Sequence, residues 1–192
     1  MKVIGFTGNY AVKDGVIQSY LMADSSILYT GRPFFLPDFA GQFVATPTIV
    51  VKTGRLGKCI APKFASRYWD AFTAGFAVQA VQGDDDSLGA LDRAFDGAAI
   101  VGEWVDASSV DDALHETVQV AVDGEVVSSH CLADMSGMTL DDMLARVSTR
   151  CSIKMGDLLF TGDAGPSRQL AAGNRLTASI GGRQVLDVKV RL

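Results

Sequence analysis

Histidine and cysteine are scarce in this chain: His115 and His130, and Cys59, Cys131 and Cys151, are all that 192 residues contain. There is no His-x-x-x-His spacing and no Cys-x-x-Cys pair, which excludes a zinc-type constellation. Three widely separated thiols exclude a disulfide framework and suit a reducing compartment. No apolar run reaches membrane length, and the opening Met1–Tyr10 stretch turns polar too soon for a secretory leader, so a cytoplasmic location is expected. Basic charge is also short. With 17 Lys and Arg against 22 Asp and Glu the formal charge is −5, which argues against nucleic acid or an anionic membrane as a partner. The Gly-x-Ser-x-Gly elbow is missing, and Gly54-Arg55-Leu56-Gly57-Lys58 has the spacing of neither glycine-rich phosphate fingerprint.

What is present is globular: 48% hydrophobic, 20% charged and twenty glycines, a length that one domain over residues 1–192 accommodates. Short strands separated by turns dominate. Lys2–Phe6 reads as a strand; the weakly periodic stretch to Ser26 gives no assignment. Val44–Lys52 is rich in β-branched residues and reads as a strand, while Arg32–Phe39, carrying two prolines, reads as an extended packed segment. Pro62 at a first helical turn, followed by Phe64, Tyr68, Ala71 and Phe72 on one face, predicts a helix that Gly75 ends. Phe76–Val81 and the Phe95–Val105 region predict strands. Thr117–Val122 and Glu125–Ser129 flank Asp123-Gly124, the dipeptide a type I′ hairpin asks for. Thr139-Leu140-Asp141-Asp142 caps a short amphipathic helix through Val147, and Gly181-Gly182 joins a last hairpin ending at Leu192. The prediction is an α+β, mainly β fold: a mixed, largely antiparallel β-roll with two clear helices.

The stretch Gly156-Asp157-Leu158-Leu159-Phe160-Thr161-Gly162-Asp163-Ala164-Gly165-Pro166 reads as a buried strand delivering a tight loop. It resembles the C-terminal signature of the fumarylacetoacetate hydrolase family. Arg55–Pro62, Phe95-Asp96-Gly97-Ala98-Ala99 and the Asp123-Gly124 hairpin followed by Ala133-Asp134-Met135 resemble the family in the family's order. The resemblance implies that family's C-terminal-domain β-roll, a magnesium or manganese ion held by carboxylates, cleavage or isomerisation of 2-oxo acids such as acylpyruvates, and a homodimer.

Carried over position by position, the resemblance also implies a loss. The Glu-x-Glu of the family falls on Thr46-Pro47-Thr48 and the third carboxylate on Ala77, so the expected metal complement is none. Neutral hydroxyls and a methyl cannot repay the dehydration of a hard divalent cation. Pro47, lacking an N–H, argues for an edge or bulge. The acid-base pair falls on Lys13 and Val16, and valine moves no proton. Leu132 and Asp163 stand where threonines near the substrate carboxylate are usual, and an aspartate there repels an anionic 2-oxo acid. Arg93 (in place of a lysine), Asp96, Thr161, Gly162 and Asp163 make up the remnant of a substrate pocket. Each survivor also has a plain structural explanation: Asp96-Gly97 is a competent turn, Thr161-Gly162 ends a strand, and Arg93 is a surface cation.

The expectation is a catalytically degenerate family member with a binding or assembly role, partnered by itself or by a paralogue, with a small-molecule ligand left open. The alternative is an active hydrolase, isomerase or decarboxylase of acylpyruvate-type substrates whose site is relocated to Asp96 and Asp163, with Asp157 or Asp134 as further ligands, or is metal-free around Lys13 and Arg93. Phe34, Phe35 and Trp104 are candidate interface aromatics and equally candidate core residues.

Overall fold

The computed structural model describes residues 1–10, 17–82 and 88–192. Lys13 and Val16, and the Asp84–Asp86 run, lie outside the described residues. In chain order the strands are β1 (Val3–Phe6), β2 (Ser19–Met22), β3 (Ile27–Tyr29), β4 (Phe34–Phe35), β5 (Gln42–Thr53), β6 (Trp69–Val81), β7 (Ala99–Val101), β8 (Val105–Asp106), β9 (Val118–Val122) and β10 (Glu125–His130). After these come the helix α1 (Leu140–Arg150) and strands β11 (Leu158–Phe160), β12 (Arg168–Gln169), β13 (Arg175–Ile180) and β14 (Arg183–Arg191). A nine-stranded sheet runs β2-β1-β11-β5-β6-β7-β3, with β12 added to β5 and β8 to β6; a five-stranded sheet runs β10-β9-β13-β14-β4.

The large sheet is rolled, and the connectivity requires it. Its two edge strands, β2 and β3, are consecutive in the chain, and only Ala23–Ser26 joins them. A flat path of seven strands would separate its edges by about 29 Å. The residues from Met22 to Ile27 span at most about 18 Å. One face of the sheet therefore turns inward on itself, around Val3, Met22, Val50, Ala77, Ala99, Val101, Leu158 and Phe160, with Tyr20, Ile27, Phe95 and Trp104 packed against them. The other face packs on the small sheet and α1 through Phe72, Phe76, Ile49, Leu159, Leu176, Val188, Met143 and Leu144. Burying each of these large side chains contributes about 1.5–3 kcal/mol.

Both hairpins form as their turn residues require. Asp123 and Gly124 have φ 52° and 84°, and the Thr139 hydroxyl accepts from the Asp142 N–H at 3.2 Å to cap α1. Two readings need correction. The helix predicted from Pro62 to Gly75 is a single 3₁₀ segment, Pro62–Tyr68, after which β6 begins at Trp69. β6 is buried on both faces, so its apolar residues run continuously and the period of two that marks a strand is erased. Gly75 is small because a Cβ there would meet the Ile100 carbonyl oxygen and Val50 Cγ2, both at 2.6 Å; it seats β6 against β7 instead of ending a helix. One α-helix, not two, is found among the described residues.

The second correction concerns Pro47, which is neither at a sheet edge nor in a bulge: it lies mid-strand in β5, in register with Phe76. Its carbonyl accepts from Ala164 N at 2.9 Å. In a strand the N–H and C=O of one residue point the same way, so the missing donor faces the gap between β12 and β11, where the ladder is already interrupted. Of the aromatics left open between core and interface, Phe34 is only 1% exposed and belongs to the core, whereas Phe35 is exposed.

Candidate functional site

Strand register assembles the inward face row by row. Tyr20, Gly5, Phe160, Val50 and Thr73 are successive partners across β2, β1, β11, β5 and β6. The next row holds Thr48, Gly75 and Val101; the third holds Thr46, Ala77 and Ala99. Side chains in such rows share a face. Thr46, Thr48 and Ala77, the positions to which the resemblance assigns metal ligands, thus sit together inside the roll, and all three are buried.

Their chemistry is neutral. Thr46 Oγ1 shares a hydrogen bond with Ser167 Oγ at 2.6 Å, and Thr48 Oγ1 donates to the Ile49 carbonyl at 3.3 Å. Val50, Phe160 and Ala99 complete the surroundings. Hard divalent cations take anionic and carbonyl oxygens, and a face offering two partnered hydroxyls, a methyl and hydrocarbon does not fit one. Among the described residues no group of three or more His, Cys, Asp or Glu side chains is placed to hold a metal.

The remaining candidates divide. Arg93 stacks its guanidinium 4.8 Å from the centre of the Tyr20 ring. Tyr20 itself is pushed up to about 12 by burial, with Arg93 pulling the other way and Asp163 adding to the rise. Asp163 accepts from the Gly8 N–H at 3.0 Å. Burial raises its pKa, partly offset by that N–H and by Arg93. Arg93, Tyr20 and Asp163 therefore form one mixed-charge group at the β2 end of the face. Asp96 is exposed on its turn. The remaining carboxylates weighed for a relocated site have separate partners: Asp157 accepts from the backbone N–H groups of Lys2 and Lys154 and pairs with the Lys2 ammonium, while Asp134 accepts from Cys131 N at 2.8 Å and faces His130.

Thr161 and Gly162 are held by Asn9. The Thr161 hydroxyl donates to the Ile49 carbonyl and meets the Tyr10 hydroxyl, both at 2.9 Å. Asn9 Nδ2 donates to the Thr161 carbonyl at 2.9 Å and the Met138 carbonyl at 3.1 Å, and Asn9 Oδ1 accepts from Met138 N at 2.6 Å. Gly162 has φ +138°, and a Cβ on it would lie 2.5 Å from Asn9 Cβ. Burial drives the Tyr10 hydroxyl above the ordinary tyrosine range, so it stays protonated. Asn9-Tyr10 thus ties the end of β1 to the signature loop. Sequence reasoning missed Tyr20, which lies in the weakly periodic stretch without a motif, and Ser167, whose only signal is its place after the Gly165-Pro166 turn.

A rolled mixed sheet enclosing its own buried face, closed by a loop after a central strand, defines the fumarylacetoacetate hydrolase type of β-roll. The sequence profile of the fumarylacetoacetate (FAA) hydrolase C-terminal domain matches residues 10–191, and the chain belongs to that family. Solved structures agree in fold. Fumarylpyruvate hydrolase from Pseudomonas aeruginosa, in complex with Mn2+ and pyruvate, superposes with a TM-score of 0.86 at 20% identity, covering 100% of this chain and 90% of that one. A 2-hydroxyhepta-2,4-diene-1,7-dioate isomerase from Mycobacterium marinum gives 0.85 at 22% identity over 99% and 74%. A 5-carboxymethyl-2-hydroxymuconate delta-isomerase from Mycobacterium smegmatis gives 0.86 at 19% identity over 99% and 78%. No curated protein matches by sequence. No helix among the described residues is long and apolar enough to cross a membrane.

Proposed function

We propose that this chain is a catalytically degenerate member of the family, keeping the roll for a binding or assembly role and not for metal-dependent cleavage of 2-oxo acids. The observation that carries the reading is the trio Thr46, Thr48 and Ala77: adjacent on one buried face, uncharged, and with their hydroxyls already partnered inside the protein. A divalent ion placed there would lose its water without gaining anionic ligands. Asp163 reinforces the reading, since a carboxylate beside the remnant pocket disfavours an anionic 2-oxo acid. Homodimerisation or pairing with a paralogue belongs to the same proposal and rests on the family; the cytoplasmic setting rests on the three separated thiols.

The alternative, an active hydrolase, isomerase or decarboxylase with a relocated or metal-free site, is favoured by one feature, the partly buried Asp163 near the Arg93–Tyr20 stack. Turnover of acylpyruvates and oxaloacetate by purified protein, with and without added manganese, separates the two. The proposal expects rates equal to the protein-free control in both conditions. Manganese-dependent turnover would end it, and manganese-independent turnover abolished by Asp163→Asn would establish the alternative.

A further inference from the structure

We propose that the cleft between the β3–β4 turn and the outer face of β13 and β14 binds a small ligand through clustered phosphate groups. The cleft is about 790 Å³ and is lined by Thr30–Pro33, Glu103, Gly173, Arg175, Gln184–Asp187, Lys189 and Arg191. None of these residues belongs to the face of Thr46, Thr48 and Ala77.

Charge pairing is what singles it out. Its two acids are both engaged: Asp187 takes a two-pronged contact from Arg175, at 2.8 and 2.6 Å, and Glu103 pairs with Arg183 at 2.8 Å. Arg32, Lys189 and Arg191 have no carboxylate partner among the described residues. An acidic chain of charge −5 therefore gathers three unpaired cations, plus the partly neutralised Arg175, around one concavity.

Strand geometry fixes the cluster. Lys189 and Arg191 alternate onto the outer face of β14, and Arg175 is the direct cross-strand partner of Lys189. Like charges placed opposite one another in a sheet are destabilising. The turn that carries Arg32 is pinned to β14: Asp187 N donates to Thr30 Oγ1 at 2.8 Å, and Gly31 N donates to the Asp187 carbonyl at 3.2 Å. Arg forks and a Lys ammonium converging on one site match the oxygens of adjacent phosphates. The cleft is too small and too isolated to serve a nucleic-acid backbone, which needs an extended basic stripe.

The test is calorimetric titration of the full chain with inorganic pyrophosphate and, separately, with ADP, in low and in raised salt. Arg32→Ser/Lys189→Ser/Arg191→Ser is compared with Arg55→Ser/Lys58→Ser/Lys63→Ser, which makes the same change in net charge at exposed sites elsewhere. The expected result is saturable, salt-weakened binding of at least one probe that falls by about tenfold or more in the first variant and is unchanged in the second. Tighter binding of ADP than of pyrophosphate assigns the phosphates to a nucleotide, and equal binding assigns them to the bare anion. No saturable binding of either probe, or equal weakening in both variants, overturns the proposal. Matching thermal transitions of the variants and the parent protect the comparison from unfolding.

Discussion

At the scale of single residues, two side chains decide how the signature loop stands. Asn9 is fully buried and links β1, the 136–138 turn and the loop after β11 through its amide. Removing it leaves buried donors and acceptors without partners. Asn9→Ala is expected to cost about 2–4 kcal/mol in denaturant unfolding, and Gly162→Ala to cost more than about 1 kcal/mol from its φ alone, with the 2.5 Å approach to Asn9 adding to it. Asp163 acts in the opposite sense. Its folded pKa is raised, chiefly by burial, so the protonated acid is the form the fold prefers. Stability linked to this group is present at pH below its ordinary range and is lost as pH rises through the raised value. Asp163→Asn, which keeps an oxygen for the Gly8 N–H, is expected to raise the melting temperature at neutral pH. The gain should shrink as pH falls toward about 4, and a gain independent of pH would contradict the assignment.

At the scale of elements, the sequence was most informative where structure is decided locally. Asp123-Gly124, Gly181-Gly182 and the Thr139 cap specify their turns and helix start within a few residues, and each forms. Thr139→Ala should cost about 1 kcal/mol with α1 content reduced at its first turn. The 62–75 segment reads as a helix, and 76–81 correctly as a strand, because the first part of a strand buried on both faces and an apolar helix look alike in composition, and because Pro62 is a good helix start whichever element follows. Its resolution lies in β5 and β7, which sandwich β6 over long sequence separations. Gly75→Ala tests that packing: a clash with the Ile100 carbonyl oxygen should destabilise the protein by about 1–3 kcal/mol, whereas a helix-ending glycine would have tolerated alanine far better. Pro47 was misplaced for the same reason, since the interruption between β12 and β11 that accommodates it is a property of three strands and not of one.

At the scale of the whole molecule, the four-residue link from β2 to β3 rolls the large sheet and gives it an interior. That Thr46, Thr48 and Ala77 lie together was legible from the sequence, because all three could be placed against the signature the chain resembles, and strand register brings them onto one face. The Arg93–Tyr20–Asp163 group was not, because its members come from three distant stretches and only the roll brings them together. The account depends on the neutral patch of Thr46, Thr48 and Ala77 leaving a divalent ion in water. Its most direct test is a crystal equilibrated with manganese and measured for anomalous scattering: no peak is expected within coordinating distance of Thr46, Thr48 and the backbone at Ala77, and a fully occupied manganese ion there would contradict it.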